Sequence, residues 1–322
     1  MIVKPLAEES LGARSMCTFI ETSDLKVLVD PGVALCPRRF GLPPHPKEYY
    51  ALIEGREKIL KYAEEADVIA ITHYHFDHYT PSFVEWCCLW SSPEIARKIY
   101  EGKLVLAKDF KVKLSFNQRR RAWLFLQTCG KYAKKIINAD GESFNFGDTE
   151  ITFSKPYYHG PKGTMLGCVV MIYIKSRGES VLFASDVQGP MYKEPLDEIL
   201  RLKPDMLILS GPPIYLLRFR LSEEDASRGL ENLLTLAENI PEIIVGHHLL
   251  RSDEWKNFLV KVSDVASQNG NRVFIVSEYL GVESRLLEFK RRELYEKYPP
   301  DEEFLSWVRM AHQKRRGVKP PL

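Results

Sequence analysis

The sequence predicts an α/β protein in which two β-sheets pack together and helices lie outside them. Three observations lead there. Short apolar runs alternate with helix-period stretches along the whole chain. The extended runs of the first half follow one another mostly as hairpins with helices interposed, unlike a doubly wound parallel sheet. The 322 residues, 45% apolar and 27% charged, are an ordinary globular composition. A chain of this length can bury a core without disulfides or metals as staples, so a metal here would serve chemistry.

The elements follow in order. Met16–Glu21 and Lys26–Asp30, joined by Thr22-Ser23-Asp24, read as a hairpin. After the Pro-rich loop 36–46, residues 47–64 place Leu52, Ile53, Ile59, Leu60 and Ala63 on one helical face. Asp67–Ile71 is a short buried strand. A helix, a strand at Leu104–Ala107 and a helix over Asn117–Gly130 come next, then strands at Thr149–Ser154, Gly167–Lys175 and Ser180–Ala184. A helix at Lys193–Leu202 precedes the strand Asp205–Ser210. Ser222 and Asp225 form a capping pattern, opening a helix with Leu230, Leu233, Leu234 and Ala237 on one face. The strand Glu242–Val245, a helix from about Asp253, the strand Arg272–Val276 and a charged helical tail complete the chain. One domain over 1–313 is expected, with a basic helical segment at about 92–137 and a frayed tail at 314–322.

Charge narrows the function. Lys and Arg total 45 against 43 acids, a net charge of +2, which excludes a surface that is one large nucleic-acid clamp. No apolar run approaches the roughly 18 residues of a membrane span, and no secretory leader is evident. Six cysteines show no C-x-x-C pair, which fits a reduced, cytoplasmic protein with no membrane partner.

The chemistry is concentrated in Ile71-Thr72-His73-Tyr74-His75-Phe76-Asp77-His78, at the end of a buried strand. Residues two apart in an extended chain point the same way, so His73 and His75 can grip one ion. Asp77 and His78 then turn away and can serve a second. The chain holds eight histidines, and three fall within this stretch. Imidazole and carboxylate suit zinc and its divalent neighbours. His159, Asp186 and His247 each come shortly after an apolar strand, so all can converge on one sheet edge.

This pattern resembles the metallo-β-lactamase superfamily. The residues that carry the resemblance are Asp30, the His73-x-His75-x-Asp77-His78 motif, His159, Asp186 and His247. The resemblance implies a four-layer αβ/βα sandwich with a dinuclear metal site at one edge. It implies His73, His75 and His159 as ligands of one ion, Asp77, His78 and His247 as ligands of the other, and Asp186 between them. Asp30 would orient ligands. Gly246-His247 fits the superfamily's last ligand, which favours His247 over His248; His248 would then donate a proton to the leaving group or be a satisfied neighbour. The chain further resembles an uncharacterised archaeal branch of the superfamily through Arg14-Ser15-Met16, Val29-Asp30-Pro31-Gly32, the 37–46 loop, Gln118-Arg119-Arg120-Arg121 and residues 246–251.

The expected activity is hydrolysis. Two divalent ions, zinc first with iron or manganese as alternatives, would make hydroxide available near neutral pH. Asp77 and His248 are the candidate catalytic residues. Residues 103–135 hold ten Lys or Arg against the single acid Asp109, with Trp123, Phe125 and Tyr132 interleaved. This favours a phosphodiester or other phosphate ester, including small-molecule and nucleic-acid substrates, with Arg119, Arg120 and Arg251 as candidate contacts. A hydrolase of carboxylic esters, thioesters or lactones is the enzymatic alternative. A nucleic-acid-binding protein with a non-catalytic metal site is the other.

Overall fold

Two mixed β-sheets stack face to face, and helices cover the outer face of each. The computed structural model describes residues 1–217 and 219–322. In the first sheet β1 (Ile2–Pro5), β2 (Thr18–Glu21) and β3 (Lys26–Val29) run antiparallel. Then β4 (Val68–Ile71), β5 (Leu104–Ala107) and β6 (Lys135–Asn138) continue it in parallel. β7 (Ser143–Phe146) and β8 (Thr149–Phe153) begin the second sheet, and β9 (Tyr157–Tyr158) pairs with β10 (Cys168–Val169) as a separate ribbon. β11 (Ile172–Ser176), β12 (Glu179–Ser185), β13 (Met206–Ser210), β14 (Glu242–Gly246) and β15 (Arg272–Phe274) complete the second sheet, in the order β15-β14-β13-β12-β11-β8-β7.

Alternation along the strands builds the layers. Phe19, Leu28, Ile69 and Val105 meet Leu52 and Ile59 of α1 (Pro46–Glu65), Ile99 of α2 (Pro93–Tyr100) and Phe125 of α3 (Phe116–Thr128). Their neighbours Ile20, Val27, Val29, Ala70 and Leu106 face the other way, onto Ile151, Phe153, Ile172, Phe183, Ile208 and Ile244. The far face of the second sheet, with Leu182, Leu207, Ile243 and Val245, is covered by α4 (Lys193–Leu202), α5 (Glu223–Asn239) and α6 (Trp255–Gln268). Each buried Val, Leu or Ile contributes about 1.5–3 kcal/mol, so three apolar layers dominate stability.

Helix starts follow local chemistry. His45 Nδ1 accepts the Lys47 N–H and Glu48 bonds back to the His45 N–H, with Pro46 opening α1. Ser222 Oγ accepts the Asp225 N–H at the start of α5.

Three expectations are corrected. The hairpin reading holds for β2–β3, but β3 to β6 run parallel, because α1, α2 and α3 carry the chain back between strands. The stretch 167–175 is two strands, β10 and β11. The tail at 314–322 docks rather than frays. Trp307 Nε1 donates to Val318 O (2.9 Å), the Trp86 N–H donates to Arg316 O (3.1 Å), and the Lys319 ammonium lies over the rings of Trp86 and Trp90. Aromatic rings outside the tail give its charges somewhere to pack. Among the described residues no helix is long and apolar enough to cross a membrane.

Candidate metal centre

The donors gather where strand ends meet. β12, β13 and β14 are parallel, so their C-terminal ends share one edge. Asp186 follows β12 and His247 follows β14 there. β4 delivers the histidine motif, and His159 follows β9. Asp30, just after β3, is held by its own N–H on Ala70 O (2.8 Å). The loop after Asp30 touches the motif so closely that a Cβ on Gly32 would lie 2.5 Å from the His78 nitrogen and 2.3 Å from that of Tyr79. Only glycine fits this approach. Asp30, Ser185, Gln188 and His247 all have left-handed backbone, with φ of 48°, 50°, 57° and 51°. Such strain in non-glycine residues clusters at functional sites.

Four overlapping sets of donor atoms result among the described residues, each with its atoms within 4.8 Å of one another: His73, His75, His159 and Asp186; Asp77, His78 and His247; Asp30, His73 and His78; and Asp186, His247 and His248. Asp186 Oδ2 lies 2.8 Å from His159 Nε2, 3.2 Å from His78 Nε2 and 3.6 Å from His73 Nε2, and its Oδ1 lies 3.7 Å from His247 Nε2. It therefore stands between the first two sets. Among the described residues, His73 Nε2, His78 Nε2, His159 Nε2 and Asp186 Oδ1 are buried with no hydrogen-bond partner. Native interiors rarely leave such atoms unpaired.

The neighbours of four imidazoles fix which nitrogen carries the proton; at His159 the Gln188 amide nitrogen stands 3.3 Å from Nδ1, and Nε2 is free there only with that amide turned over. Asp30 Oδ2 accepts from His78 Nδ1 (2.8 Å) and from the Thr72 hydroxyl (2.6 Å), and Oδ1 accepts the Thr72 N–H (2.8 Å). The Thr72 hydroxyl, its proton committed to Asp30, can only accept from His73 Nδ1 at 3.1 Å. Both Nε2 lone pairs are thereby left free. Glu9 does the same for His247, accepting from Nδ1 at 2.7 Å. His248 is the opposite case. Arg251 can only donate, and its Nη1 lies 3.2 Å from His248 Nδ1, with the Tyr215 hydroxyl at 3.3 Å. The His248 proton is then on Nε2, which lies 3.5 Å from Asp186 Oδ2. His247 thus presents a lone pair, and His248 an N–H.

The charges agree with this pattern except at His78, where burial is outweighed by the Asp186 and Asp30 carboxylates, which push the imidazole well above an ordinary histidine. Burial opposes ionisation of Asp186, but the surrounding His247, His78, His159 and His248 hold its carboxyl well below the usual range. Asp77 behaves alike, its burial outweighed by His78, His247, His75 and Arg251. Burial pushes His73 and His75 well below an ordinary histidine. Burial, and then the Arg251 charge, lowers His248 to about 3.

Sequence reasoning missed Glu8 and Glu9, which are both buried. Glu8 Oε1 accepts the His247 N–H (2.6 Å), and a Cβ on Gly246 would lie 2.4 Å from that oxygen. Glu9 also accepts Arg251 Nε and Nη2, at 2.8 and 2.5 Å. Two adjacent acids inside the apolar stretch 5–11 are the signal that could have found them.

The donors open into a cavity of about 1460 Å³ whose lining includes His75, Asp77, His159, Asp186 and His248. Of the expected substrate contacts, Arg120 and Arg251 line it, but the Arg251 guanidinium is engaged by Glu9. Arg119 is exposed and outside the lining. Asn117, Arg120, Arg121 and Leu124 form the stripe of α3 that faces the cavity. Much of the basic segment is structural. Lys108 is buried against Asp140 (2.7 Å), Lys103 caps the carbonyls of Glu64 and Ala66, and Phe125 belongs to the core.

Residues 13–211 match the family described as the beta-lactamase superfamily domain, and the chain belongs to that superfamily. Within it, full-length relatives define a narrower group. A UPF0282 protein of Methanopyrus kandleri is 44% identical over 297 residues, covering 91% of this chain and 99% of the relative. A UPF0282 protein of Korarchaeum cryptofilum is 40% identical over 308 residues, covering 95% and 99%. The chain is thus a member of the UPF0282 proteins. Among solved structures, the metallo-beta-lactamase fold protein YhfI from Bacillus subtilis is similar at 15% identity and a TM-score of 0.47, covering 81% of this chain and 89% of that one.

Proposed function

We propose that this chain is a metal-dependent hydrolase of phosphodiesters or related phosphate esters, with two divalent ions, zinc first, held by seven side chains. The observation that carries this reading is the set of orphaned donors, His73 Nε2, His78 Nε2, His159 Nε2 and Asp186 Oδ1, gathered in one place. Leaving each of them unmatched costs about 1–3 kcal/mol, and a divalent ion is the partner that suits imidazole and carboxylate lone pairs together. His73, His75 and His159 would hold one ion and Asp77, His78 and His247 the other, with Asp186 shared. Such ions supply an acidified water and a Lewis acid for a phosphoryl oxygen.

The chain's own residues do the remainder. Asp30 and Glu9 hold His73, His78 and His247 in the tautomer that keeps the lone pair on Nε2, with Arg251 Nη2 3.2 Å from that of His247. Asp77, kept ionised, can accept a hydrogen bond from an entering nucleophile. His248 aims its Nε2–H at the centre and can donate it to an oxygen that gains charge as a bond breaks. Arg120 and Arg121 on the cavity wall, which pair with no carboxylate among the described residues, favour an anionic substrate.

The test is turnover of bis(p-nitrophenyl) phosphate and of p-nitrophenyl acetate before and after chelation, with zinc, manganese or iron restored. Metal-dependent cleavage of the phosphodiester is expected. Cleavage of the acetate alone would move the substrate to the carboxylic-ester class. No turnover with any metal would replace the enzyme reading by a binding protein.

A further inference from the structure

Two guanidinium groups beside the donor cluster rest on aromatic rings. Arg121, on α3, has its Cζ 4.5 Å from the ring centroid of Phe76. Arg316, from the C-terminal segment, has its Cζ 5.4 Å from that of Phe83. The two rings meet edge to face, with centroids 5.9 Å apart, so they form one platform. Phe76 stands between His75 and Asp77 in the chain, which ties the platform to the donor motif. All four side chains line the cavity.

Charge balance and seating together single these arginines out. Arg14, Lys162 and Arg251 line the cavity too, but pair with Glu288, Glu194 and Glu9. Arg120 and Arg220 line it with no carboxylate partner among the described residues, but neither rests on the Phe76–Phe83 platform. Glu85 is held by the N–H groups of Cys88 and Leu89, and Asp225 by the Ser222 hydroxyl and Arg228. Among the described residues, no carboxylate pairs with Arg121 or Arg316. A guanidinium stacked on a ring is held in place while its N–H fork stays free, and that fork matches phosphate oxygens. The cavity, at about 1460 Å³, also exceeds the roughly 300–1,000 Å³ of a common small-molecule pocket.

We propose that Arg121 and Arg316, seated on Phe76 and Phe83, form a phosphate subsite beside the reacting centre, so that the substrate carries at least one phosphate besides the one cleaved. This rests on the phosphoesterase reading above. The shared chemistry is a ligand with two or more phosphates, and a small diphosphate and an oligonucleotide are its two sources.

The test is fluorescence anisotropy of the purified full chain with a labelled, cleavage-resistant phosphorothioate hexathymidylate, and inorganic pyrophosphate as competitor. Arg121→Gln and Arg316→Gln should each weaken binding about tenfold, as loss of a charge-assisted contact does. Each should also flatten the log–log salt dependence by about 0.7. Arg316→Lys, which keeps the charge and loses the fork, should fall between, and Lys261→Gln on α6 should bind normally. Thermal melts verify that every variant folds. Displacement by pyrophosphate that disappears in the double variant assigns a small diphosphate; displacement by unlabelled hexathymidylate alone assigns an oligonucleotide. Unchanged binding in the folded double variant, or no binding by the wild-type chain, overturns the subsite. Lost binding in the variants of a chain that cleaves no ester would keep the subsite and reject the hydrolase. Phosphodiester turnover with unchanged binding would do the reverse.

Discussion

His73, His75, Asp77 and His78 reach the centre in one short run after β4, whereas His159, Asp186 and His247 arrive singly from separate strand ends. The supports differ in the same way. One carboxylate, Asp30, orients both His78 and, through Thr72, His73. In the dispersed half each imidazole has its own neighbour, the Gln188 amide for His159 and Glu9 for His247. The contiguous half hangs two of its imidazoles on one anchor. The dispersed half is assembled by the sheet and depends on local partners.

The largest effect should come from Asp186, the dispersed donor that stands between the two proposed ion sites. Asp186→Ala should drop metal content below one equivalent and take turnover to background. Circular dichroism and melting should still show a folded chain, since the three apolar layers do not involve Asp186. Unfolding of this variant would make the metals structural instead.

His248→Gln should lower kcat by about 10²–10⁴, the usual share of a positioned proton donor, with metal content unchanged. Loss of metal in this variant would make His248 a ligand and reverse the contrast with His247.

Asp30→Asn and Glu9→Gln sharpen the comparison between the halves. Each should weaken metal binding by about 10–100-fold, as loss of a ligand's hydrogen-bonding partner does. Calorimetric titration should show both binding steps weakened for Asp30→Asn and only one for Glu9→Gln. Identical profiles would remove the distinction.

The smallest effect at the centre is expected from Glu288→Gln, which breaks the pair with Arg14 (2.6 Å) and leaves the donors in place. Burial raises the Glu288 pKa, but Arg14 outweighs it and holds the carboxyl well below its ordinary 4.5. The pair therefore stabilises the fold fully above pH 4.5 and loses that stability as pH falls toward the depressed value. Removing one partner of such a pair costs about 3 kcal/mol at pH 7. Chemical denaturation should show the gap between variant and wild type closing below pH 4.5; a constant gap would mean that charge is not its source.

Legibility in the sequence followed locality. The histidine motif could be read because its spacing alone puts donors together. The central strands could be read because both their faces are buried, so their sequences are continuous apolar runs. β1, β6 and β7 escaped because they are short and partly exposed, with Pro5 in β1 and alternating polar residues in β7. Glu8 and Glu9 escaped because their partners, His247 and Arg251, lie more than 230 positions away. Arg316 was assigned to a frayed tail, and only the fold shows that it stands near Arg121 on a shared aromatic platform.

The central claim is that seven nitrogen and oxygen donors hold two ions. Zinc reconstitution followed by elemental analysis and X-ray absorption tests it most directly. The account predicts close to two zinc ions per chain in shells of nitrogen and oxygen alone. Less than one ion per chain, or sulfur from any of the six cysteines in the zinc shell, would contradict it.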